Sequence, residues 1–245
     1  MAISRLNTAT FKNGLKKYQS ADSGIVRDSL LIATDAGQSA SYGGSGTQWF
    51  DLSGNSRTIT IIGPTYSSSE GGKFSFNGTS HYMSLPDFNL TTNFTVGAWI
   101  KTTNTNFAQI MARGGSTNDR GVYMSMNFAS GTISGGGNDG TPYSWNARDI
   151  STILVNDNNW HYVVGVFNQT TNQVTGYVDG NKGRTMHVRM LNDGYSPNNA
   201  KIGRNQTGDG QWFGGDMSAF HMYNKNLSEE EILQNFNAMR GRYGI

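Results

Sequence analysis

From Thr58 to Tyr223 the chain is a succession of about a dozen short apolar runs, each closed by a Gly, Asn or Asp turn, with no helical pattern between them. The runs are Thr58–Ile62, Lys73–Phe76, Tyr82–Leu85, Phe94–Ile100, Gln109–Arg113, Gly121–Met126, Thr152–Val155, Trp160–Phe167, Val174–Val178, Met186–Met190, Ala200–Ile202 and Met217–Tyr223, and Ile25–Ala33 precedes them. Many short strands without crossover helices close as two stacked antiparallel sheets or a jelly roll. The expected class is therefore all-β, a two-sheet antiparallel sandwich. Composition agrees: 32 glycines and only 4 prolines in 245 residues suit many polar turns. That length holds a full hydrophobic core in one domain without cross-links, and cysteine is absent. No internal repeat is evident.

One helix is signalled near the end. Ser228 is an N-cap, Glu231 three residues on completes a capping box, and Leu227 and Ile232 stand at the spacing of a hydrophobic staple. Ile232, Leu233, Phe236 and Met239 give it one apolar face. At the other end, residues 1–24 read as an extended arm and residues 25–245 as the domain. Phe11, Leu15 and Tyr18 would suit one short amphipathic turn of helix within the arm. The first 30 residues carry a net charge of +3, whereas the remainder balances 14 basic against 15 acidic residues. Such a basic leader is either a solvated tail or a docking segment that orders on a larger assembly. Residues 36–56 form a long irregular segment whose aromatics imply packing on the surface.

The net charge of +2 gives no reason to expect a nucleic-acid partner. No apolar run approaches the ~20 residues of a membrane-spanning helix, so no membrane insertion is expected. Met1–Leu6 lacks the apolar stretch of a secretory signal, and synthesis in a reducing cytoplasm is the simplest expectation.

Several segments resemble a known family when taken in order. Phe76-Asn77-Gly78-Thr79-Ser80-His81-Tyr82, Phe94–Lys101, Trp160-His161, Tyr177-Val178-Asp179-Gly180 and Leu227–Ile232 are similar to successive elements of laminin-G-like, concanavalin A-like lectin domains. The resemblance implies a concanavalin A-like jelly roll over residues 25–245, a fold whose usual work is binding, often of glycans. A narrower likeness runs through Asp35-Ala36-Gly37, Trp49–Gly54, Gly63-Pro64-Thr65-Tyr66 and the Leu227–Ile245 ending. These segments resemble structural proteins of tailed bacteriophages, especially T-even-like phages of marine cyanobacteria. That likeness implies a virion protein made in the host cytoplasm and decorating a head, neck, tail or fibre. It would be multimeric on the particle, with other virion proteins as partners of the arm and a cell-surface glycan as a further partner.

The superfamily also contains glycoside hydrolases, which need two carboxylates a few ångströms apart. Glutamate occurs only at Glu70, Glu229, Glu230 and Glu231, the last three sit where a helix N-terminus favours acids, and no strand carries a paired acid. The absence of cysteine and of a Gly-x-Ser-x-Gly elbow removes the usual nucleophiles. His81, His161, His187 and His221 show no zinc spacing and read as surface residues of strands. The expectation is a non-enzyme with no catalytic residue. Calcium is the one cofactor the loops would suit, through Asp119, Asp139 and Asp209 with Asn138 and Asn205, although Asn and Asp also serve ordinary turns.

Glycan recognition needs an exposed ring with polar neighbours. Trp99 and Trp160 fall inside apolar strands and read as core, as does Trp49. Trp145 and Trp212 fall in polar loops. The expected ligand site therefore comprises Trp212 with Asp209 and Asn205 beside it, and Tyr143 with Trp145. The same loop aromatics would equally plug the sandwich ends or fill a subunit interface. Three roles remain open at this point: a lectin-like virion surface protein, a decoration protein without ligand, and a glycoside hydrolase.

Overall fold

The computed structural model describes residues 24–87, 90, 93–114, 121–127, 130–138, 146–190, 200–205 and 210–245. In chain order the strands are β1 (Leu30–Asp35), β2 (Gln48–Trp49), β3 (Ile59–Ile62), β4 (Thr65–Ser67), β5 (Lys73–Asn77), β6 (Tyr82–Ser84), β7 (Asn93–Lys101) and β8 (Ala108–Gly114). They continue as β9 (Gly121–Met126), β10 (Ile133–Asn138), β11 (Asn146–Asp149), β12 (Trp160–Asn168), β13 (Gln173–Val178), β14 (Asn181–His187), β15 (Lys201–Ile202) and β16 (Gly214–Tyr223). Helix α1 (Glu229–Met239) follows, then a 3-10 turn over Arg240–Tyr243. The first sheet runs β14-β13-β12-β7-β16-β5-β4, with β1 also paired to β16, and the second runs β11-β10-β9-β8-β15-β6-β3-β2. Every pairing is antiparallel. The fold is the expected all-β sandwich with one short C-terminal helix. No helix among the described residues is long and apolar enough to cross a membrane.

Strand alternation builds two separate apolar layers. Phe94, Val96, Ala98 and Ile100 of β7 face Met111, Val122, Met124 and Ile133 of the second sheet in the inter-sheet core. The opposite face of the first sheet is also apolar, with Trp99, Tyr162, Val164, Tyr177, Ala219 and Tyr223, and α1 covers it with Ile232, Phe236 and Met239. The helix starts where the sequence predicts. Ser228 Oγ accepts from Glu231 N at 3.2 Å, and Ser228 N donates to Glu231 Oε2 at 2.9 Å, an arrangement worth about 1 kcal/mol. Beneath α1, Asn235 is fully buried. Its Oδ1 accepts from Val26 N at 2.8 Å and its Nδ2 donates to Tyr223 OH at 3.0 Å. Gln234 Nε2 donates to Gly24 O at 2.9 Å. Gly24, the first described residue, therefore lies on the α1 side of the domain.

Strand β1 pairs with β16 on one edge only. Its other edge is sealed by the segment from Ser41 to Arg57. Ala33 N donates to Asp51 Oδ1 at 2.9 Å, and Ala33 O accepts from Leu52 N at 2.7 Å. Leu31 O accepts from Asn55 Nδ2 and Arg57 Nη1 at 3.1 and 3.2 Å, and Asp35 N donates to Ser41 Oγ at 3.1 Å. The irregular segment expected over residues 36–56 is thus a packed strap, with β2 inside it.

Several expectations change, among them the run Met186–Met190, whose strand lies earlier as β14. Thr152–Val155 is not a strand. Ile153 and Val155 pack on the core from a loop while Leu154 is exposed, and Val155 N donates to Gly131 O at 2.8 Å. Strand β10 was not expected, because Ile133-Ser-Gly-Gly-Gly-Asn138 carries no alternation. Two other elements press on it: a Cβ at Gly135 would meet Val174 at 2.8 Å, and one at Gly137 would meet Arg189 O at 2.5 Å. The histidines also divide: His161 and His221 are buried, not surface residues. His221 lies under the helix layer against Tyr162, with ring centroids 6.2 Å apart.

Candidate functional site

In β6, Met83 points into the core while Tyr82 and Ser84 point outward from the second sheet. Strand β15 continues that outer surface with Lys201, opposite Ser84, while Ile202 turns inward. Gly203, at φ 86°, then redirects the chain, and its N–H donates to Ile110 O at 3.1 Å. The returning segment is pinned twice by Gln109, whose N donates to Gln211 O at 2.9 Å and whose Nε2 donates to Gln211 Oε1 at 2.7 Å. These bonds hold Gln211 at φ 60°, a left-handed conformation uncommon for a residue with a side chain. Phe213 consequently falls inward onto Phe76 at 5.6 Å, and Trp212 stays half-buried on the outside.

There Trp212 meets two partners. Its ring lies 6.2 Å from that of Tyr82, and the Arg204 guanidinium sits 4.1 Å from the Tyr82 centroid and 5.4 Å from that of Trp212. Stacking of this kind contributes roughly 0.5–2 kcal/mol and fixes the plane of the guanidinium. The outer face of the second sheet thus carries an aromatic and cationic platform. It lies on the opposite side of the sandwich from α1.

Of the site residues predicted from sequence, Trp212 belongs to this platform, and Asn205 is half-buried one residue beyond Arg204. Asp209, Tyr143 and Trp145 lie outside the described residues, as do the calcium candidates Asp119 and Asp139. Asn138 ends β10 opposite Gly121. Among the described residues no group of three or more His, Cys, Asp or Glu side chains comes together to hold a metal ion. Sequence reasoning missed Tyr82, Lys201 and Arg204. The one available signal was the outward position of Tyr82 beside the inward Met83.

Two other clusters of titratable groups lie away from this platform. Glu70 accepts from Lys101 Nζ at 2.6 Å and from Lys73, and Lys73 also donates to Asp216 Oδ2 at 2.8 Å. The hydrogen bonds from Lys101 and Lys73 hold the Glu70 carboxyl down at about 2, so it is ionised at neutral pH and cannot donate a proton. His161 places Nδ1 2.7 Å from Asp179 Oδ2 and Nε2 3.1 Å from Asp157 Oδ1. Both ring nitrogens are committed to carboxylates, which leaves neither to activate a hydroxyl.

The two buried histidines act oppositely on stability. Burial pulls His221 down to about 4. For His161, burial opposes the charged form, but Asp179 and Asp157 outweigh it and its pKa is raised. Between about pH 6.5 and 4 the unfolded chain protonates His221 while the native state does not, so stability falls by up to about 3 kcal/mol across that window. The His161 contribution is fully present below its unfolded pKa and is lost as pH rises through its folded value. Urea melts from pH 7 to 4 should therefore show a flatter acid limb for His221→Gln and a steeper one for His161→Gln. An acid limb unchanged in His221→Gln would refute the assignment.

Residues 77–233 match the laminin G-type family described as the concanavalin A-like lectin/glucanases superfamily. The chain belongs to that superfamily. No curated protein matches it. Among solved structures, the binding domain of Paraclostridial Mosquitocidal Protein 1 is similar with a TM-score of 0.65 and 16% identity, over 86% of this chain and 52% of that one. The receptor-binding domain of the botulinum neurotoxin C/D mosaic serotype gives a TM-score of 0.61 at 16% identity, over 86% and 51%. A botulinum neurotoxin type C structure, whose cell entry depends on two ganglioside molecules, gives 0.63 at 14%, over 87% and 52%. At these identities the likeness is one of fold. This superfamily member spans about half the length of each neighbour.

Proposed function

We propose that this chain is a non-enzymatic, lectin-like recognition protein of a tailed-bacteriophage virion, held to the particle by residues 1–24 and binding surface glycan through the outer face of the second sheet. The observation that carries the reading is the Tyr82–Arg204–Trp212 platform, an aromatic surface with polar neighbours on the side away from Gly24. An arm behind and a ligand face in front suit display on a particle, where weak sites act together through multivalency. The neighbours' work in receptor binding supports a recognition role. The phage context comes from the likeness of Asp35–Gly37, Trp49–Gly54 and the C-terminal segment. The low pKa of Glu70 and the full engagement of His161 favour binding over hydrolysis.

Trp212→Ala should abolish binding on a glycan array while leaving the thermal melt nearly unchanged. One observation favours a second reading, decoration without a ligand: Trp212 is half-buried against Tyr82 and Arg204. A collapsed melt in Trp212→Ala would support that reading, and retained binding would move the site elsewhere. Deletion of residues 1–24 should leave a folded domain that still binds glycan but no longer enters particles. Normal incorporation of the truncated protein would exclude the arm as the attachment.

A further inference from the structure

The outer face of the second sheet carries a row of residues in register, running Thr60, Ser84, Lys201, Ala112 and Tyr123 across five strands. Lys201 stands in its middle. The described residues include five lysines, and four of them, Lys73, Lys101, Lys182 and Lys225, hold carboxylates. Lys201 does not; its amine donates to Ser84 Oγ at 2.8 Å. It is half-buried. Burial, and then the charge of Arg204, act against its protonated form, and with Asp87 opposing them the amine is still held below the ordinary lysine value. Arg204, three residues on, is braced against Tyr82 and Trp212. The like charge of Arg204 disfavours the Lys201 ammonium, and an anion bound beside the two offsets that repulsion. The hydroxyl of Ser84, already accepting from Lys201, retains its own proton to donate. Ala112 and Tyr123, which end the row, are buried, so the part of the row that reaches solvent is Thr60, Ser84 and Lys201.

We propose that the saccharide bound on this face carries an anionic group, a carboxylate or a sulfate ester, seated between the Lys201 amine and the Arg204 guanidinium with Ser84 donating to it, while the sugar ring lies on Trp212. This rests on the glycan-binding reading given above and specifies its ligand class. The anion supplies charge-assisted hydrogen bonds that a neutral sugar lacks. The aromatic ring supplies the contact that a free inorganic anion lacks.

The full chain is tested on an array that presents sialylated or uronate-bearing, sulfated and neutral members of the same backbones. Titrations of the best acidic oligosaccharide, its neutral counterpart and inorganic sulfate follow in solution. The acidic member should bind at least about tenfold tighter than the neutral one and weaken as salt rises. The carboxylate and sulfate sets on the array identify the anion. Lys201→Met, which keeps the apolar stem, should remove that preference while leaving neutral binding in place, whereas Arg204→Gln, which also unbraces the platform, should weaken both members and the acidic one more. Arg204→Lys should keep part of the preference. Equal binding of acidic and neutral members, or an intact preference in Lys201→Met, overturns the proposal but leaves the saccharide site standing. Sulfate binding as tight as the acidic oligosaccharide also overturns it, because the site would then be one for a simple ion. If neither acidic nor neutral sugars bind, the proposal and the glycan reading fall together.

Discussion

Arg242→Ala is expected to destabilise the domain by about 3–5 kcal/mol in urea melts at neutral pH. Arg242 Nη1 and Nη2 donate to Asp35 Oδ1 and Oδ2 at 2.6 and 2.7 Å, a bidentate pair joining the last residues of the chain to the end of β1. Asp35 is only 4% exposed. Without the guanidinium it keeps Gly37 N at 2.8 Å and Gln38 Nε2 at 3.1 Å but loses its countercharge. The stem of Arg242 also fills space that two glycines leave for it. A Cβ at Gly71 would lie 2.4 Å from Arg242 Cδ, and one at Gly37 would lie 3.0 Å from Nη1. Burial opposes ionisation of Asp35, but the hydrogen bonds and charge of Arg242 outweigh it, so its pKa is lowered. The stabilisation is therefore present above the ordinary carboxylate pKa and is lost as pH falls through the lowered one. The deficit of the variant should shrink at acid pH, and the Asp35→Ala/Arg242→Ala pair should recover part of it. A loss below about 1 kcal/mol, the usual worth of a surface pair, would show that the clamp is not closed in solution.

The second large effect is expected at Trp99, where alanine should cost about 3–5 kcal/mol. Trp99 is fully buried between the first sheet and α1. Its ring lies 5.4 Å from Tyr162, 5.7 Å from Phe236 and 4.3 Å from Tyr243. Removing it empties the junction of sheet, helix and C-terminal turn at once. Phe236→Ala, at the margin of the same layer, should cost less, and the two losses should not add. Strictly additive losses in denaturant melts would show that helix and sheet do not share this junction.

The architecture was legible wherever burial repeats locally. Phe94–Lys101 and Trp160–Phe167 announce themselves by their apolar runs, and Ser228 with Glu231 announces the helix, because cap and partner are three residues apart. Trp49, Trp99 and Trp160 read as core and are core. Legibility failed where a distant segment decides. The glycines of β10 are required by Val174 and Arg189, which no local pattern reveals. The irregular segment before Arg57 gave no hint that it would grip β1. At the candidate site, the loop argument singled out Trp212 from its polar company. Arg204 is close to it in sequence, but Tyr82 reaches it only because β6 and β15 pair across more than a hundred residues of sequence. His221 was misjudged for a related reason: its strand is apolar on both faces, since α1 covers the face that would otherwise meet water.

The strap along β1 bears on how many copies of this protein can stand side by side. An open strand edge offers unpaired N–H and C=O groups to any neighbouring chain and invites fusion of sheets into aggregates. Here Asp51, Leu52, Asn55, Arg57 and Ser41 occupy the edge groups of β1. At the other margins, β4, β2 and β11 are only 3, 2 and 4 residues long, and the longer β14 carries Lys182 and Arg184. Each margin is blocked, brief or charged. Crowding many such domains at high local density would bring their surfaces together without joining their backbones.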